Sequence, residues 1–193
     1  MEMLIMGLVL FLGLHSVRMF APNWRANMLD MLGENGYKAA YSVASAIGLA
    51  LIIWGYSVAR QNSPVIWTPP LALKHMAGLL TLAAFIGVAA AYVPRNHIRA
   101  AVGHPMLAGT ALWALAHLLS KGTLAALLTF GGFFVWALAD FLSCRARDRA
   151  DGRVIAPGTA SGTALTVVLG AAAWAVMAFW LHGVWLGYRP YGV

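Results

Sequence analysis

The sequence predicts an all-α protein, a polytopic membrane helical bundle of about six transmembrane helices. Hydrophobic residues make up 61% of the 193 residues and charged residues only 10%, whereas about a quarter of the residues of a soluble domain are charged. Several apolar stretches approach or exceed the roughly 20 residues that a helix needs to cross a bilayer. None alternates polar and apolar residues as the strands of a membrane barrel do. A bundle of helices embedded in the lipid bilayer is therefore the expected fold.

The chain is expected to form a single transmembrane domain over residues 1–193, with links of different character between the spans. The fourth and fifth spans are separated only by Lys121 and Gly122, which predicts a tight antiparallel hairpin. The link 22–37 is predicted to hold a short amphipathic helix. The polar link 144–161 is predicted to be a flexible cytoplasmic loop before the last helix. The six predicted spans are 3–21, 38–59, 70–92, 104–120, 122–143 and 162–186.

The basic residues predict the orientation of the bundle. When the links are assigned to alternating sides, nine Lys and Arg residues fall on one side and four on the other. Cytoplasmic loops carry the excess of positive charge, so both termini are predicted to lie outside. The net charge of +7 is thus explained by topology, and nucleic acid is not an expected partner. The larger group is Arg18, Arg25, Lys38, Arg95, Arg99, Arg145, Arg147, Arg149 and Arg153, and the smaller is Arg60, Lys74, Lys121 and Arg189.

Histidines inside the predicted spans are the main candidates for function. Ionisable groups inside a bilayer are costly and are usually retained because they bind or pair with something. The single cysteine, Cys144, excludes an internal disulfide and any multi-cysteine metal site. Zinc and di-iron sites would need thiolate or carboxylate companions for the histidines, and the spans contain almost none. Several inward histidines in a helical bundle therefore favour a haem.

Two of the histidines share a helix face with residues that suit a cofactor. His117 lies on one face with Trp113 and further upstream Met106, and this face could line a cofactor pocket. His15 is followed one turn later by Arg18, so the pair could meet an iron and a propionate. Further arginines expected near the inner surface could also reach propionates; they are Arg25, Arg95 and Arg99.

The other candidate residues have simpler explanations. His97 is expected to be interfacial, His104 to open a helix before Pro105, and His75 to form an interfacial pair with Lys74. Asp140 is expected to pair with Arg145 or Arg147. The glycines of the fourth and fifth spans are expected to be helix-packing residues; they are Gly109, Gly131 and Gly132. No Ser-His-Asp or Cys-His arrangement is present, so the sequence gives hydrolysis no support.

Six segments of the chain carry distinctive combinations of residues: Gly13-Leu-His-Ser-Val-Arg18, Ala21-Pro-Asn-Trp-Arg25, His104-Pro-Met-Leu-Ala-Gly109, Leu112-Trp-Ala-Leu-Ala-His117, Trp136-Ala-Leu-Ala-Asp140 and Leu181-His-Gly-Val-Trp-Leu-Gly187. These segments resemble those of the NnrU family of bacterial inner-membrane proteins and, more distantly, those of the haem-containing plant 15-cis-zeta-carotene isomerase. The resemblance extends over most of the chain. It implies a location in the bacterial inner membrane and a link to nitrite and nitric oxide reduction. In that membrane, the outer side predicted for both termini is the periplasm.

The isomerase resemblance implies a ligand set for haem b. Carried over by motif, the two axial histidines are His15 and His117. The isomerase has a cysteine three residues before the second ligand, and Ala114 occupies that position here. The predicted depths of the two histidines in the membrane do not favour a shared iron. At a rise of 1.5 Å per residue, His15 should lie about 10 Å nearer the inner surface than His117. His75 lies at the matching depth and is the alternative partner of His117.

Three functions follow from these residues. The first is haem b binding with redox or gas-ligand chemistry in nitrogen-oxide metabolism, which implies a gaseous ligand or a redox partner. The second is haem-dependent cis-trans isomerisation of a polyene, and the third is a membrane assembly or accessory role without catalysis. A methyltransferase of the isoprenylcysteine type is disfavoured, since Gly103 stands where the Arg-His-Pro segment of those enzymes has arginine.

Overall fold

The structure, a computed structural model, describes residues 1–188 and residue 190. Within this part the chain is helical, with two isolated bridges and no strand, so the predicted all-α fold is confirmed. A short 3₁₀ turn, Arg60–Asn62, follows α2, and a π-helical turn, Met177–Leu181, joins the last two helices. The helices are α1 Glu2–Phe20, α2 Pro22–Ala59, α3 Leu71–Tyr92, α4 His97–Val102, α5 Pro105–Ser120, α6 Leu124–Ala150, α7 Ala160–Val176 and α8 His182–Leu186.

Five helical segments of the described chain are long and apolar enough to cross a membrane, which identifies a membrane protein. They are Glu2–Phe20, Pro22–Asn62, Leu71–Tyr92, Leu124–Ala150 and Ala160–Leu186. The remaining predicted span, α5, is apolar but only 16 residues long, because Gly103 at φ 80° ends α4 and Pro105 starts a new helix. The tight hairpin is also confirmed, with α5 ending at Ser120 and α6 beginning at Leu124.

The predicted link 22–37 is helical but is not separate from the second span. Helix α2 runs from Pro22 to Ala59 and is kinked at Gly33, whose φ of 69° and ψ of 166° are not helical. A positive φ costs glycine little because it has no Cβ. The amphipathic segment predicted before the second span is thus the first arm of a kinked helix.

The predicted loop 144–161 is shorter than expected. Helix α6 continues to Ala150, so its last turns contain Cys144, Arg147 and Asp148, and α7 already begins at Ala160. Two features extend the helix: the Arg147 guanidinium donates to Ser143 Oγ one turn earlier at 2.6 Å, and basic residues in a last turn stabilise the helix dipole. Only residues 151–159 link the two helices.

Glycines allow two helix pairs to pack at backbone distance. A Cβ on Gly55 would lie 2.5 Å from Leu4 N, and one on Gly109 would lie 2.7 Å from Ala84 O. These close contacts join α2 to α1 and α5 to α3, as expected for small residues in membrane helix packing. Helix α6 contacts α1, α2 and α5, and α7 packs on α3. Helix α6 therefore connects the two tightly packed pairs.

The prediction that glycines serve packing is confirmed for Gly109 but not for Gly131. A Cβ on Gly132 would meet Leu12 Cδ1 at 3.3 Å, whereas one on Gly131 would have nothing within 4 Å. The difference arises because adjacent residues of a helix point about 100° apart, so only one of the two glycines faces α1.

We expect Gly109→Ala to lower thermal stability, because the new methyl group would press on the Ala84 carbonyl. Overpacking of this kind costs about 1–3 kcal/mol. Gly131→Ala is the matched control: it gains the same helix propensity, up to about 1 kcal/mol, and meets no neighbour. Thermal unfolding of the purified variants in detergent, followed by tryptophan fluorescence, measures the difference. Equal midpoints for the two variants would contradict the close α3–α5 contact.

Candidate functional site

A cavity of about 830 Å³, here called the main cavity, lies among α1, α2, α5 and α6. Its volume is within the roughly 300–1,000 Å³ typical of small-molecule sites. Apolar side chains such as Leu14, Val17 and Leu107 form part of the wall. The polar and aromatic lining residues are His15, Arg18, Arg25, Glu34, Tyr37, Lys38, Tyr41, Arg99, His104, Trp136, Asp140, Cys144 and Arg147.

His15 presents one nitrogen that is free to act as a ligand or acceptor. Its Nδ1 lies 2.7 Å from the Phe11 carbonyl oxygen, which can only accept, so Nδ1 carries the proton. The ring stacks on Phe11 at 4.2 Å between centroids and meets Trp136 edge-on at 5.8 Å. Tyr41 contacts it from α2 at 5.3 Å. These contacts fix the tautomer and the ring, as second-shell groups do for metal-binding histidines.

The main cavity has an excess of positive charge. Its two carboxylates are already paired: Lys38 Nζ lies 2.6 Å from Glu34, and Arg147 Nη2 lies 3.6 Å from Asp140. The second pair confirms the partner expected for Asp140. Within the described residues the remaining cations have no carboxylate within 4 Å; they are Arg18, Arg25 and Arg99. Arg99 donates to the Ala91 carbonyl oxygen at 3.2 Å and Arg25 lies over the Tyr37 ring, but none of the three charges is balanced by a carboxylate. Guanidinium groups without a carboxylate partner in a cavity suit a ligand that carries carboxylate or phosphate groups.

Trp136 lines the main cavity and carries a buried donor without a partner. Its Nε1 has no hydrogen-bond partner among the described residues, and the same holds for the buried Ser45 Oγ. Buried polar groups in proteins are nearly always hydrogen-bonded. The two atoms are therefore exceptions within the described residues.

His104 lines the same cavity and has a partner that the sequence did not reveal. Its Nε2 lies 2.7 Å from Asp148 Oδ2, with only 18% and 19% of the two side chains exposed. His104 precedes Pro105 at the start of α5, as predicted, and Asp148 lies in the last turns of α6. The pairing was missed because Asp148 was expected in a flexible loop. The signal that predicts the longer helix is the run Cys144–Ala150, rich in arginine and alanine, which favour helix.

His117 and Trp113 lie apart from the main cavity. His117 Nδ1 donates to the Trp113 carbonyl oxygen at 2.8 Å, and the ring stacks on Phe130 at 4.4 Å. Trp113 packs edge-on against Phe130 and Phe133, and neither it nor His117 lines the main cavity. The structure thus brings His15 together with Arg18 and Arg25, but not with His117.

Aromatic rings fill the space between the two histidines. Phe11 stacks on His15, Phe133 lies 5.8 Å from Phe11, and Trp113 lies 5.5 Å from Phe133 and 5.0 Å from His117. On α6, Trp136 contacts His15 and Phe130 contacts His117. These two α6 residues are six positions apart, which corresponds to about 9 Å along the helix axis. This separation agrees with the depth difference expected from the sequence.

The two predicted groups of basic residues lie at opposite ends of the bundle. At one end, burial and the charges of Arg60 and Lys74 lower the pKa of Lys121, whose Nζ lies 3.8 Å over the Tyr188 ring. The larger group gathers at the other end, around the main cavity. Arg189 lies outside the described residues. Which end faces the cytoplasm stays a prediction.

His75 and His97 are consistent with their simpler explanations. His75 and His97 are exposed, and neither lines the main cavity. His97 begins α4, where its backbone N–H donates to Thr163 Oγ1 at 3.0 Å. Within the described residues no group of three or more His, Cys, Asp or Glu side chains could hold a metal ion.

Comparison with known proteins identifies the family. The family model described as NnrU protein matches residues 3–190. The chain belongs to the NnrU family. No curated protein and no solved structure matches it. In this NnrU protein, the segments that begin at Gly13 and at His104 both contribute residues to the main cavity, from α1 and from the start of α5.

We expect Asp148→Ala to lower the thermal unfolding midpoint of this NnrU protein, because it removes the partner of His104 and of Arg153. A loss of roughly 2–4 °C is typical for one such contact in a chain of this size. Asp151→Ala is the control, since it removes the same charge three residues later at an exposed position, where the carboxylate has no ion pair among the described residues. The same midpoint for both variants would show that the contact between α5 and α6 contributes nothing.

Proposed function

We propose that this NnrU-family protein binds haem b in the main cavity through His15 and acts in nitrogen-oxide metabolism by redox or gas-ligand chemistry. The observation that carries the proposal is the combination of a fixed imidazole with a free Nε2 and three arginines without carboxylate partners in one cavity. The family resemblance supplies the link to nitrite and nitric oxide reduction. The proposed location is the bacterial inner membrane, with both termini periplasmic.

The residues of the main cavity fit a haem. A single proximal histidine holds the iron in many haem proteins, and His15 would take this role. Arg18, Arg25 and Arg99 would hold the propionate carboxylates, because guanidinium groups pair strongly with carboxylates. The apolar side chains of the wall, such as Leu14, Val17 and Leu107, would contact the macrocycle.

Bound haem would supply an iron that exchanges electrons and binds small gases, while the protein tunes its ligand and its charge. By donating Nδ1–H to the Phe11 carbonyl, His15 keeps Nε2 basic and pointed in one direction. Arginine charge in excess of that balanced by the propionates would favour the reduced state, since positive charge near a redox centre stabilises the form with one more electron. Trp136 would hold the His15 ring in place through its edge-on contact.

Coordination by both His15 and His117 is less compatible with the packing. Axial ligands must lie within a few Å of each other on either side of one iron, and here the rings of Phe11, Phe133 and Trp113 lie between the two histidines. His75 is exposed on α3 and does not line the main cavity. We therefore propose His15 as the protein ligand of the iron, which would bind small gases when the haem is present.

The isomerase alternative has no specific support in the site. Ala114 occupies the position at which the isomerase has a cysteine, three residues before the second ligand, and is fully buried. The one cysteine, Cys144, lies instead in the main cavity, where its Sγ accepts from Arg147 at 2.9 Å and is 3.6 Å from Asp140. A polyene substrate and an accessory role without a cofactor are thus outcomes of the experiment and not further proposals.

We expect purified protein, expressed with added haem precursor, to show a b-type spectrum with a high-spin ferric form that binds nitric oxide after reduction with dithionite. His15→Ala should lose the bound haem, because the single protein ligand is removed. Arg18→Gln should weaken haem retention by about 10-fold or more, as loss of an outer-shell partner does. Absorption spectra with and without dithionite, and haem titration of the apoprotein, measure both effects.

His117→Ala and His75→Ala are the matched controls and should retain the spectrum of the unsubstituted protein. A low-spin spectrum that becomes high-spin in His117→Ala would instead establish coordination by two histidines. Protein that never acquires a Soret band would overturn haem binding and favour the accessory role. In a strain that lacks the protein, His75→Ala should restore nitrogen-oxide reduction and His15→Ala should not.

A further inference from the structure

We infer that the end of α6 carries a second binding site, which holds the phosphate headgroup of an anionic phospholipid. A pocket of about 390 Å³, here called the arginine pocket, lies between α4 and the last turns of α6. It is lined by Arg145, Arg149 and Arg153 around a single carboxylate, Asp148. The site is separate from the residues assigned to haem binding and does not depend on that proposal.

The charges of the arginine pocket are far from balanced. The Asp148 carboxylate lies 3.3 Å from Arg153 Nη1 and 2.7 Å from His104 Nε2, so this single negative charge already has two partners. Arg145 donates to the Val102 carbonyl oxygen at 3.2 Å and has no carboxylate partner. Arg149 has no side-chain partner among the described residues. Guanidinium groups bind phosphate oxygens with paired donors, so the pocket suits a phosphate group.

The backbone gives the pocket a closed shape on one side. The chain turns at Gly152 and brings Arg153 back, with its N–H donating to the Asp148 carbonyl oxygen at 2.9 Å. On the opposite side the wall is made of small residues of α4, Ala100 and Ala101. The small side chains leave room for a headgroup between α4 and the arginines.

The surface of α6 next to the pocket identifies the source of the phosphate as a lipid. Val135, Leu138 and Leu142 are 67%, 42% and 65% exposed, and they are followed by Arg145 and Arg149 at the same alternating spacing of three and four residues. Residues at this spacing share one face of a helix. An exposed apolar stripe in a membrane-crossing helix thus leads directly to the basic pocket. A lipid can place its acyl chains on the stripe and its phosphate in the pocket, which a soluble anion cannot do.

Basic pockets at the end of membrane helices attract anionic headgroups by about 1 kcal/mol for each Lys or Arg. We therefore expect the full-length protein in detergent to bind phosphatidylglycerol more tightly than phosphatidylcholine, with a preference that falls as salt screens the charges. Arg149→Gln should weaken phosphatidylglycerol binding about fivefold, and Arg145→Gln with Arg149→Gln about 25-fold, since 1.36 kcal/mol corresponds to a factor of ten. Native mass spectrometry of the lipid-bound protein gives the affinities.

Arg95→Gln is the matched control, because it removes one exposed arginine at the same end of the bundle but outside the pocket. It should leave lipid binding unchanged, and a loss equal to that of Arg149→Gln would overturn the site in favour of general surface charge. Equal affinity for both lipids would also overturn it. If inorganic phosphate bound as tightly as phosphatidylglycerol, the site would be one for soluble anions. The lipid and salt comparisons use the unsubstituted protein, so they hold even if a variant is poorly folded.

Discussion

The architecture depends on backbone contact between helices at glycine. Gly55 brings α2 against α1, and Gly109 brings α5 against α3, at distances that leave no space for a Cβ. Each pair is therefore a rigid unit, and α6 fills the region between the units. Near Phe130 and Phe133 the aromatic side chains of α6 complete the packing with Trp113. Further along α6 the side chains become polar, and the space between the units opens into the main cavity.

The polar end of α6 forms two sites on different faces. Asp140, Cys144 and Arg147 follow each other at spacings of four and three residues and line the main cavity. Arg145 and Arg149 lie on another face and line the arginine pocket. The His104–Asp148 contact lies between the two sites, because His104 lines the first and Asp148 the second. The length of α6 beyond its apolar part thus determines both sites.

The sequence predicted the features that depend on long apolar segments or on spacing within a helix. Such features include the membrane spans, the hairpin at Lys121 and the pairing of Asp140 with Arg147, which are seven residues apart. It did not predict contacts between distant segments, such as His104 with Asp148, because these depend on how far α6 extends. Apolar periodicity carries no information about a polar helix end. Nor could the sequence distinguish Gly131 from Gly132, since their roles depend on which neighbour each one faces.

The contacts of the two candidate iron ligands with helix α6 show how far apart they lie along the bundle. His15 contacts Trp136 and His117 contacts Phe130, so the two imidazoles lie at levels about 9 Å apart along the helix axis. To bring them to one iron, the rings of Phe11, Phe133 and Trp113 would have to leave a packed arrangement, and displaced aromatic packing of this kind costs several kcal/mol per ring. Coordination by His15 alone needs no such change.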